Sequence, residues 1–398
     1  MPQRWIMPQR LITVVIVAVA LALARGSAAE EPFEIYTFAP LTGPAAFIGT
    51  STAKAVAAAE DLVNRTGGIK GRPLKLVVAD DQTNPQVAVQ VMSQFLAKKP
   101  SIVIGGQLTA LCNAAAGLIK ADGPVFWCYS PGVHPPAGSW IYATGFSTDD
   151  YFRAAFTYFR GRNLTKIAIL NSTDATGQDA DRAIAEALAR PENRGLTAVA
   201  KEHFALADLS VSAQIERIRA SDAQALIAWV SGSPFGTVLR GLQQAETTIP
   251  VLASPANLVY AQLTAFASVW PNEPVLFVGF PALVPDSTKD RRVRFAVNQF
   301  VDAMKAAKID HPDAGQAAAW EVLMVVIDAY RKFGTNATPT QIKDYINATR
   351  GRAGLFGMLN FQENPQRGVL PDWVTLIRWD PANGGRYVAV TKPGGAPL

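Results

Sequence analysis

The sequence predicts an α/β protein of two lobes, each a parallel sheet flanked by helices. Three observations carry that prediction. From Phe33 onward, short β-branched runs alternate with alanine-rich helical stretches. The alternation occurs in two series, separated by the polar turn Ser147-Thr148-Asp149. The polar and glycine residues with chemical potential gather at the C-terminal ends of the strands, where open α/β sheets bind their ligands. Strand–helix alternation of this kind builds parallel sheets covered on both faces. At 398 residues and 49% hydrophobic, the chain has the length and the apolar content for two such cores.

The first series opens with a strand at 33–39 (FEIYTFA) and a helix at 50–64, which Gly67-Gly68 stops. A strand at 74–79 follows. Asn84 then stands as an N-cap with Pro85 at the first helical position, opening a helix to about residue 98. A strand at 102–104, a helix from Thr109 and a strand at 125–129 complete the series. The second series runs strand 166–170, helix 177–189, strand 196–203, helix 210–220, strand 225–230, helix 234–244 and strand 251–253. Three long helices are expected near 288–307, 314–333 and 338–348, and 355–390 reads as strands and turns.

Residues 1–29 stand apart from this pattern. Arg4 and Arg10 precede the apolar run 11–24, and Ser27-Ala28-Ala29 supplies small residues before Glu30. That is the layout of a secretory signal peptide, and the run is shorter than the ~20 residues needed to span a bilayer. The expected product is an exported, soluble protein. Cleavage removes Arg4, Arg10 and Arg25 and no acid, so a net charge of +5 falls by three. The remaining Lys and Arg are scattered, which argues against a nucleic-acid partner. An oxidising compartment permits a disulfide between the two cysteines, Cys112 and Cys128. Two buried thiols would be the alternative, since cysteine also packs as a small hydrophobe. The bridge is the reading taken.

The stretch IGGQLTALCNAAAGL (104–118) concentrates the chemistry. A strand meets two glycines, and Thr109 opens a helix whose unpaired N–H groups and dipole favour an anion. Catalytic machinery is sparse by contrast. His134, His203 and His311 are far apart and lack metal-ligand spacing, so neither metal nor cofactor is expected. The segment 231–236 contains no G-x-S-x-G, and Gly105-Gly106 belongs to neither a phosphate loop nor a dinucleotide fingerprint. The pairs Asp80-Asp81 and Asp149-Asp150 lie at loop starts and read as capping or solvated groups. An enzyme is therefore not expected.

The segment APLTGPAAFIG (39–49), then NRTGGIKGRPLKLVVADDQTNP (64–85), IVIGGQLTALCNAAA (102–116) and GPVFWCYSPG (123–132), in that order, resembles the bacterial Leu/Ile/Val-binding family of periplasmic proteins. These are type I solute-binding proteins of ABC importers. The resemblance implies two Rossmann-like lobes joined by three hinge crossings and closing on a ligand. It places the crossings at Ser147-Thr148-Asp149, Phe280-Pro281 and Arg350-Gly351-Arg352. One lobe is then 30–148 plus 281–351 and the other 149–280 plus 352–398.

By the same resemblance, Thr109 receives a ligand carboxylate through its hydroxyl and N–H, Gly132 offers its carbonyl and His134 its N–H. Ile48 aligns with an apolar lid position. Thr176 stands where many relatives have Tyr before Gly, and Ser231 where relatives bring an aromatic residue to the cleft. Relatives that bind amino acids place an acid near the loop 254–257. Here that loop carries Asn257 and no acid, so the ligand is expected to lack an α-amine, because a buried ammonium without a counter-charge is costly. The expected partners are a small carboxylate, an amino acid or an aromatic or short-chain organic acid, and the membrane permease of an ABC importer, with the protein acting as a monomer. A ligand-sensing receptor of the same fold is the rival reading.

Overall fold

The structure is a computed structural model that describes residues 31–398, so the expected leader lies outside the described residues. The first sheet comprises β1 (Phe33–Ala39), β2 (Leu74–Asp80), β3 (Ile102–Gly105), β4 (Val125–Cys128) and β5 (Ile141–Ala143), in the order β2-β1-β3-β4-β5. Every pairing in it is parallel. All of β3 and β4 is buried, as strands covered on both faces must be. Helices α1 (Ala46–Arg65), α2 (Pro85–Leu96) and α3 (Thr109–Ala116) connect them. Asn84 caps α2 as its sequence predicts, accepting from Gln86 N (2.8 Å) and Val87 N (3.3 Å). Helix α1 starts four residues earlier than expected. Gly49 is no breaker there, because a Cβ at that position would overlap the Pro40 carbonyl, so glycine permits the close helix–strand approach.

The second series begins with a helix absent from the sequence reading, α4 (Thr148–Gly161). Its start is written in a capping box: Ser147 Oγ accepts from Asp150 N at 3.2 Å, and Asp150 Oδ2 accepts from Ser147 N at 3.0 Å. The helix is aromatic on its buried face, and Asp149, Arg153, Thr157 and Arg160 form its polar stripe. Then come β6 (Lys166–Ser172), α5 (Ala175–Leu188), β7 (Thr197–Phe204), α6 (Ser212–Ala220), β8 (Ala225–Trp229), α7 (Pro234–Gln244), β9 (Val251–Ala253), the short α8 (Tyr260–Ala265) and β10 (Val275–Gly279). Neither α8 nor β10 was expected from the sequence.

Helices α9 (Arg291–Ala306), α10 (Ala314–Phe333) and α11 (Pro339–Ala348) fall where the periodicity puts them. They return to the first sheet. Tyr330 of α10 packs edge-on against Phe33 of β1, with centroids 4.7 Å apart, and the Ser101 hydroxyl donates to the Ala337 carbonyl. The hairpin of β11 (Arg350–Ala353) and β12 (Met358–Asn360) follows, then β13 (Thr375–Asp380) and β14 (Arg386–Ala389). The last two extend the second sheet, ordered β14-β13-β10-β9-β8-β6-β7, with β13 antiparallel to β10 and to β14.

The expected third crossing, Arg350-Gly351-Arg352, falls within the first strand of that hairpin. Residues there form the hairpin, with a register shift between Arg350 and Arg352. The chain then stays with the first sheet: Phe361 packs edge-on against Trp127 and Tyr142, and Ala143 N donates to the Gln366 carbonyl at 2.9 Å. The edge of β5 needs a partner for its backbone, and residues 361–367 supply it. Gly351 marks an irregular hairpin, and the sequence alone could not distinguish that from a linker.

Three aromatic residues meet beside the segments that join the sheets. Phe356 stacks on Phe280 at 4.1 Å and meets Phe146 at 5.9 Å, while Ala282 N donates to the Leu355 carbonyl at 3.0 Å. Among the described residues no helix is long and apolar enough to cross a membrane.

Candidate ligand site

Strand ends from both sheets face each other. At the end of β3, Gly105 and Gly106 adopt φ of +155° and +79°, and a Cβ on Gly106 would lie 2.7 Å from Cys112 Sγ. Only glycine tolerates that turn against the cysteine. Leu108 occupies the N-cap of α3 without a side-chain cap, and Thr109 is the first helical residue. Its hydroxyl therefore does not cap; it lies 3.1 Å from Ser130 Oγ. Cys112 and Cys128 form a disulfide with Cα atoms 5.9 Å apart, tying the first turn of α3 to the end of β4. One wall of the cleft is thus held by a covalent link at its root.

Arg367 fixes the same wall from behind. It is buried, and its guanidinium donates to the carbonyls of Pro131 (2.7 Å), Val133 and Phe146 (3.1 Å). Burial pulls its pKa below the usual range, while Asp150, Tyr151, Asp179 and Asp149 act the other way. The loop 131–133 is therefore set by a side chain far away in sequence, which no local motif announces.

The opposite wall comes from the second sheet. Asp174 caps α5, accepting from Gly177 N, and Gly177 is required because a Cβ would overlap the Ser172 carbonyl. Thr176 and Asp179 stand three residues apart near the start of that helix. Ser231 follows β8 and Ser254 follows β9, with their hydroxyls 3.4 Å apart. Of the expected residues, Thr109, Gly132, Thr176 and Ser231 line one cavity of about 20 Å³, together with Asp179 and Trp229. Ile48 lines a neighbouring cavity of about 50 Å³ with Tyr129, Tyr151 and Phe356. These volumes hold a few waters at most, so the two walls are closed on each other.

Two expected residues stand elsewhere. His134 sits at the rim, with Nε2 2.8 Å from Asp179 Oδ1 and Nδ1 3.7 Å from Asp149 Oδ2, and its side chain is 38% exposed. Asn257 turns away from the cavity: it accepts from Gly232 N (3.1 Å) and Gln262 Nε2 (2.9 Å) and donates to the Val230 carbonyl (2.8 Å). Its work is to shape the loop after β8. The sequence reading missed Asp179, Trp229 and Arg367. Asp179 lies one turn past Thr176-Gly177, and that spacing on a helix start was the available signal.

Asp179 is the charged group of the cavity. Its side chain is 9% exposed, and Oδ1 accepts from Arg182 at 2.8 Å. Burial alone would raise its pKa, but His134, Thr148 and Arg182 beside it hold it below the usual carboxylate range. The closed state is also secured away from the cavity, where Ser233 N donates to the Pro44 carbonyl at 2.9 Å. Gly232 (φ +81°) makes this approach possible, since a Cβ there would overlap the same carbonyl. Asp80, from the first acidic pair, accepts from Leu41 N (2.8 Å) and Thr42 N (3.2 Å) and shapes the loop leading to Pro44.

A family model described as periplasmic binding protein matches residues 35–385. The Leu/Ile/Val-binding protein homolog 1 of Brucella abortus (strain 2308) is 22% identical over 386 residues, 93% of this chain and 96% of that protein. Homolog 3 of Brucella melitensis is 32% identical over 107 residues, which span 27% of this chain and 29% of that protein. Among solved structures, the branched-chain amino acid transporter substrate binding protein LivJ from Streptococcus pneumoniae, in complex with isoleucine, has a TM-score of 0.74 at 18% identity, covering 90% of this chain and 100% of that one. The fatty acid ABC transporter substrate-binding protein from Thermomonospora curvata has a TM-score of 0.76 at 18% identity, covering 91% and 92%. Such structural likeness speaks to the fold, and the fold is the two-lobed α/β architecture of type I periplasmic binding proteins. With the family model matched along most of its length, this chain belongs to the periplasmic binding protein family.

Proposed function

We propose that the protein is a periplasmic solute-binding protein that captures a small carboxylate between its lobes and delivers it to the permease of an ABC importer. One observation carries the reading. The N-terminus of α3, with Thr109 and Ser130 beside it, faces Thr176 and Ser231 across a closed interface. A helix N-terminus with adjoining hydroxyls suits an anion. The ligands named for two structural neighbours, isoleucine and a fatty acid, share a carboxylate and little else. The ligand is held and not transformed: Ser231 Oγ neighbours Ser254 Oγ, which is no base to activate it. The lobes in this reading are 31–148 plus 281–369 and 149–280 plus 370–398, hinged at the aromatic cluster of Phe146, Phe280 and Phe356.

A thermal-shift screen of amino acids, aromatic acids and dicarboxylates tests the proposal. A ligand at a hundred times its Kd stabilises the native state by about 2.7 kcal/mol, so a true ligand raises Tm well beyond scatter. Stabilisation by sugars or cations alone, with no carboxylate active, would overturn it.

A further inference from the structure

A groove of about 580 Å³ lies outside the closed cleft, far roomier than the cavities of about 20 and 50 Å³ between its walls. The first lobe supplies most of it: Phe47, Thr50 and Lys54 from α1, and Lys308, Ile309 and His311 from the turn between α9 and α10. The second lobe adds Val259, Tyr260 and Ala261. The buried Ser51 and Asp313 line it too, whereas Ile48 and Ala314 on the same helices line the cleft cavity, so α1 and α10 separate the two spaces. We propose that this groove is a second binding site, taking a flat aromatic anion, and that its occupant favours the closed arrangement of the lobes and so tightens capture in the cleft. The coupling rests on the lobe closure proposed above, and the groove itself stands without it.

The lining sets the chemistry of the occupant. Tyr260 and His311 stack face to face, with centroids 4.0 Å apart and planes within 5°. With Phe47, Ile309 and the small Ala57 and Ala58, they give the groove an apolar, partly aromatic wall suited to a flat ring. The charges are unequal. Asp61 is paired with Arg65 at 2.8 Å. Asp313 accepts from the Ser51 hydroxyl, Gln316 N (3.2 Å) and Tyr260 N (3.2 Å). That leaves Asp310 as the lining carboxylate without a partner among the described residues, against two cations in the same position, Lys54 and Lys308. Lys308 is fixed on the rim by the turn that ends α9: its own N–H donates to the Lys305 carbonyl and that of Ile309 to the Met304 carbonyl, each at 2.9 Å. An excess of positive charge beside an apolar wall favours an anion with an aromatic body. The volume lies within the range of about 300–1,000 Å³ usual for small-molecule sites.

Tyr260 couples the groove to closure. Its N–H reaches Asp313 across the lobes, and Ala314 N donates to the Leu258 carbonyl at 3.0 Å. Helix α8, which Tyr260 begins, is anchored to the second sheet: Gln262 Nε2 donates to Asn257 Oδ1 (2.9 Å) and to the Gly232 carbonyl (3.3 Å) in the loop after β8. When the lobes part, Tyr260 leaves with that sheet, and the groove loses one face of its aromatic stack. A ligand in contact with Tyr260 therefore binds the closed form better than the open one. By linkage, each of two ligands that prefer the closed form raises the affinity for the other.

The test is calorimetry with naphthalene-2-sulfonate, an aromatic anion that is not a carboxylate, and with the neutral naphthalene-2-sulfonamide. Wild type should bind the sulfonate at least tenfold more tightly than the sulfonamide. Lys54→Gln combined with Lys308→Gln should bring that ratio close to one with sulfonamide binding unchanged, and Tyr260→Ala should weaken both probes at least fivefold. Small-angle scattering of the protein without cleft ligand should shift toward the compact form when the sulfonate is added. A carboxylate found by the thermal-shift screen should bind at least fivefold more tightly with the sulfonate saturating. Absence of sulfonate binding, or binding indifferent to the lysine changes, overturns the site. Competition between sulfonate and carboxylate also overturns it, because the probe would then occupy the cleft. Sulfonate binding that moves neither the scattering nor the carboxylate affinity overturns the coupling. If no carboxylate binds at all, the proposed function fails by itself, while the sulfonate calorimetry and the scattering still decide the groove.

Discussion

Thr109 begins α3 without capping it, and this small displacement decides what its hydroxyl can do. A capping hydroxyl is spent on the backbone, whereas this one faces Ser130 and the cleft. Thr109→Val keeps the volume and removes one donor. A hydrogen bond to a charged group contributes about 1.5–3 kcal/mol, so carboxylate affinity should fall roughly ten- to a hundredfold. Calorimetry with the ligand acid and its amide reads this directly: wild type should prefer the acid, and Thr109→Val should lose much of that preference. A pH effect also belongs to single residues. Burial pushes Glu321 up to about 7 despite the hydrogen bond it accepts from Leu355 N at 2.7 Å. Burial likewise pushes Asp81 up to about 7. The folded chain holds these protons more tightly than the unfolded chain does. Their contribution is therefore fully present below the ordinary carboxylate pKa of about 4 and is lost as pH rises through about 7. Tm should fall between about pH 5 and 8, and Glu321→Gln should flatten that decline by roughly 2–4 °C. A melting curve as steep in the variant as in wild type would show that Glu321 is not the source. The residues legible in the sequence were those announced by their neighbours, such as Thr109 after paired glycines. Asp179 and Arg367 were not, because their importance arises only when distant segments meet.

At the level of elements, both walls of the site depend on turns that admit no side chain. Gly232 lies in the left-handed region against the Pro44 carbonyl, so Gly232→Ala obstructs closure and adds about 1–2 kcal/mol of backbone strain. Ligand affinity should drop more than tenfold, and small-angle scattering with ligand present should show the lobes apart. A compact, tightly binding Gly232→Ala protein would mean the Pro44 approach is dispensable. The disulfide ties α3 to β4 across sixteen positions, a loop for which the chain-entropy model gives about 3 kcal/mol. Two free thiols on labelling of the unreduced, denatured protein would remove that staple from the account. Most elements were readable because strand and helix periods differ so clearly. α4 carries the same signal in its polar stripe of Asp149, Arg153, Thr157 and Arg160, but its start reads as a polar turn at Ser147-Thr148-Asp149. β5 was not readable, since its three residues sit in a stretch rich in Pro, Gly and Ser that reads as loop.

For the whole molecule, the two-lobed architecture follows from the doubled alternation, but the place where the chain last leaves the first sheet does not. Phe361 and Arg367 hold residues 361–367 there through side-chain burial, which composition cannot reveal. The leader makes a separate prediction: intact mass of periplasmic extract should give a mature chain beginning at Glu30 or within a residue or two. A full-length species pelleting with membranes would defeat the soluble reading. The order of the second sheet has one more consequence. β10 is flanked on one side by β9 and on the other by β13, which the chain reaches only after completing α9, α10 and α11. Until residues 375–389 arrive, β10 is a bare, wholly apolar edge open to pairing with any passing strand. A chain halted before Thr375 should accordingly aggregate through that edge. Biosynthesis carries a built-in delay, because β8 and β9, which bear Ser231 and Ser254, sit in a sheet that is sealed last.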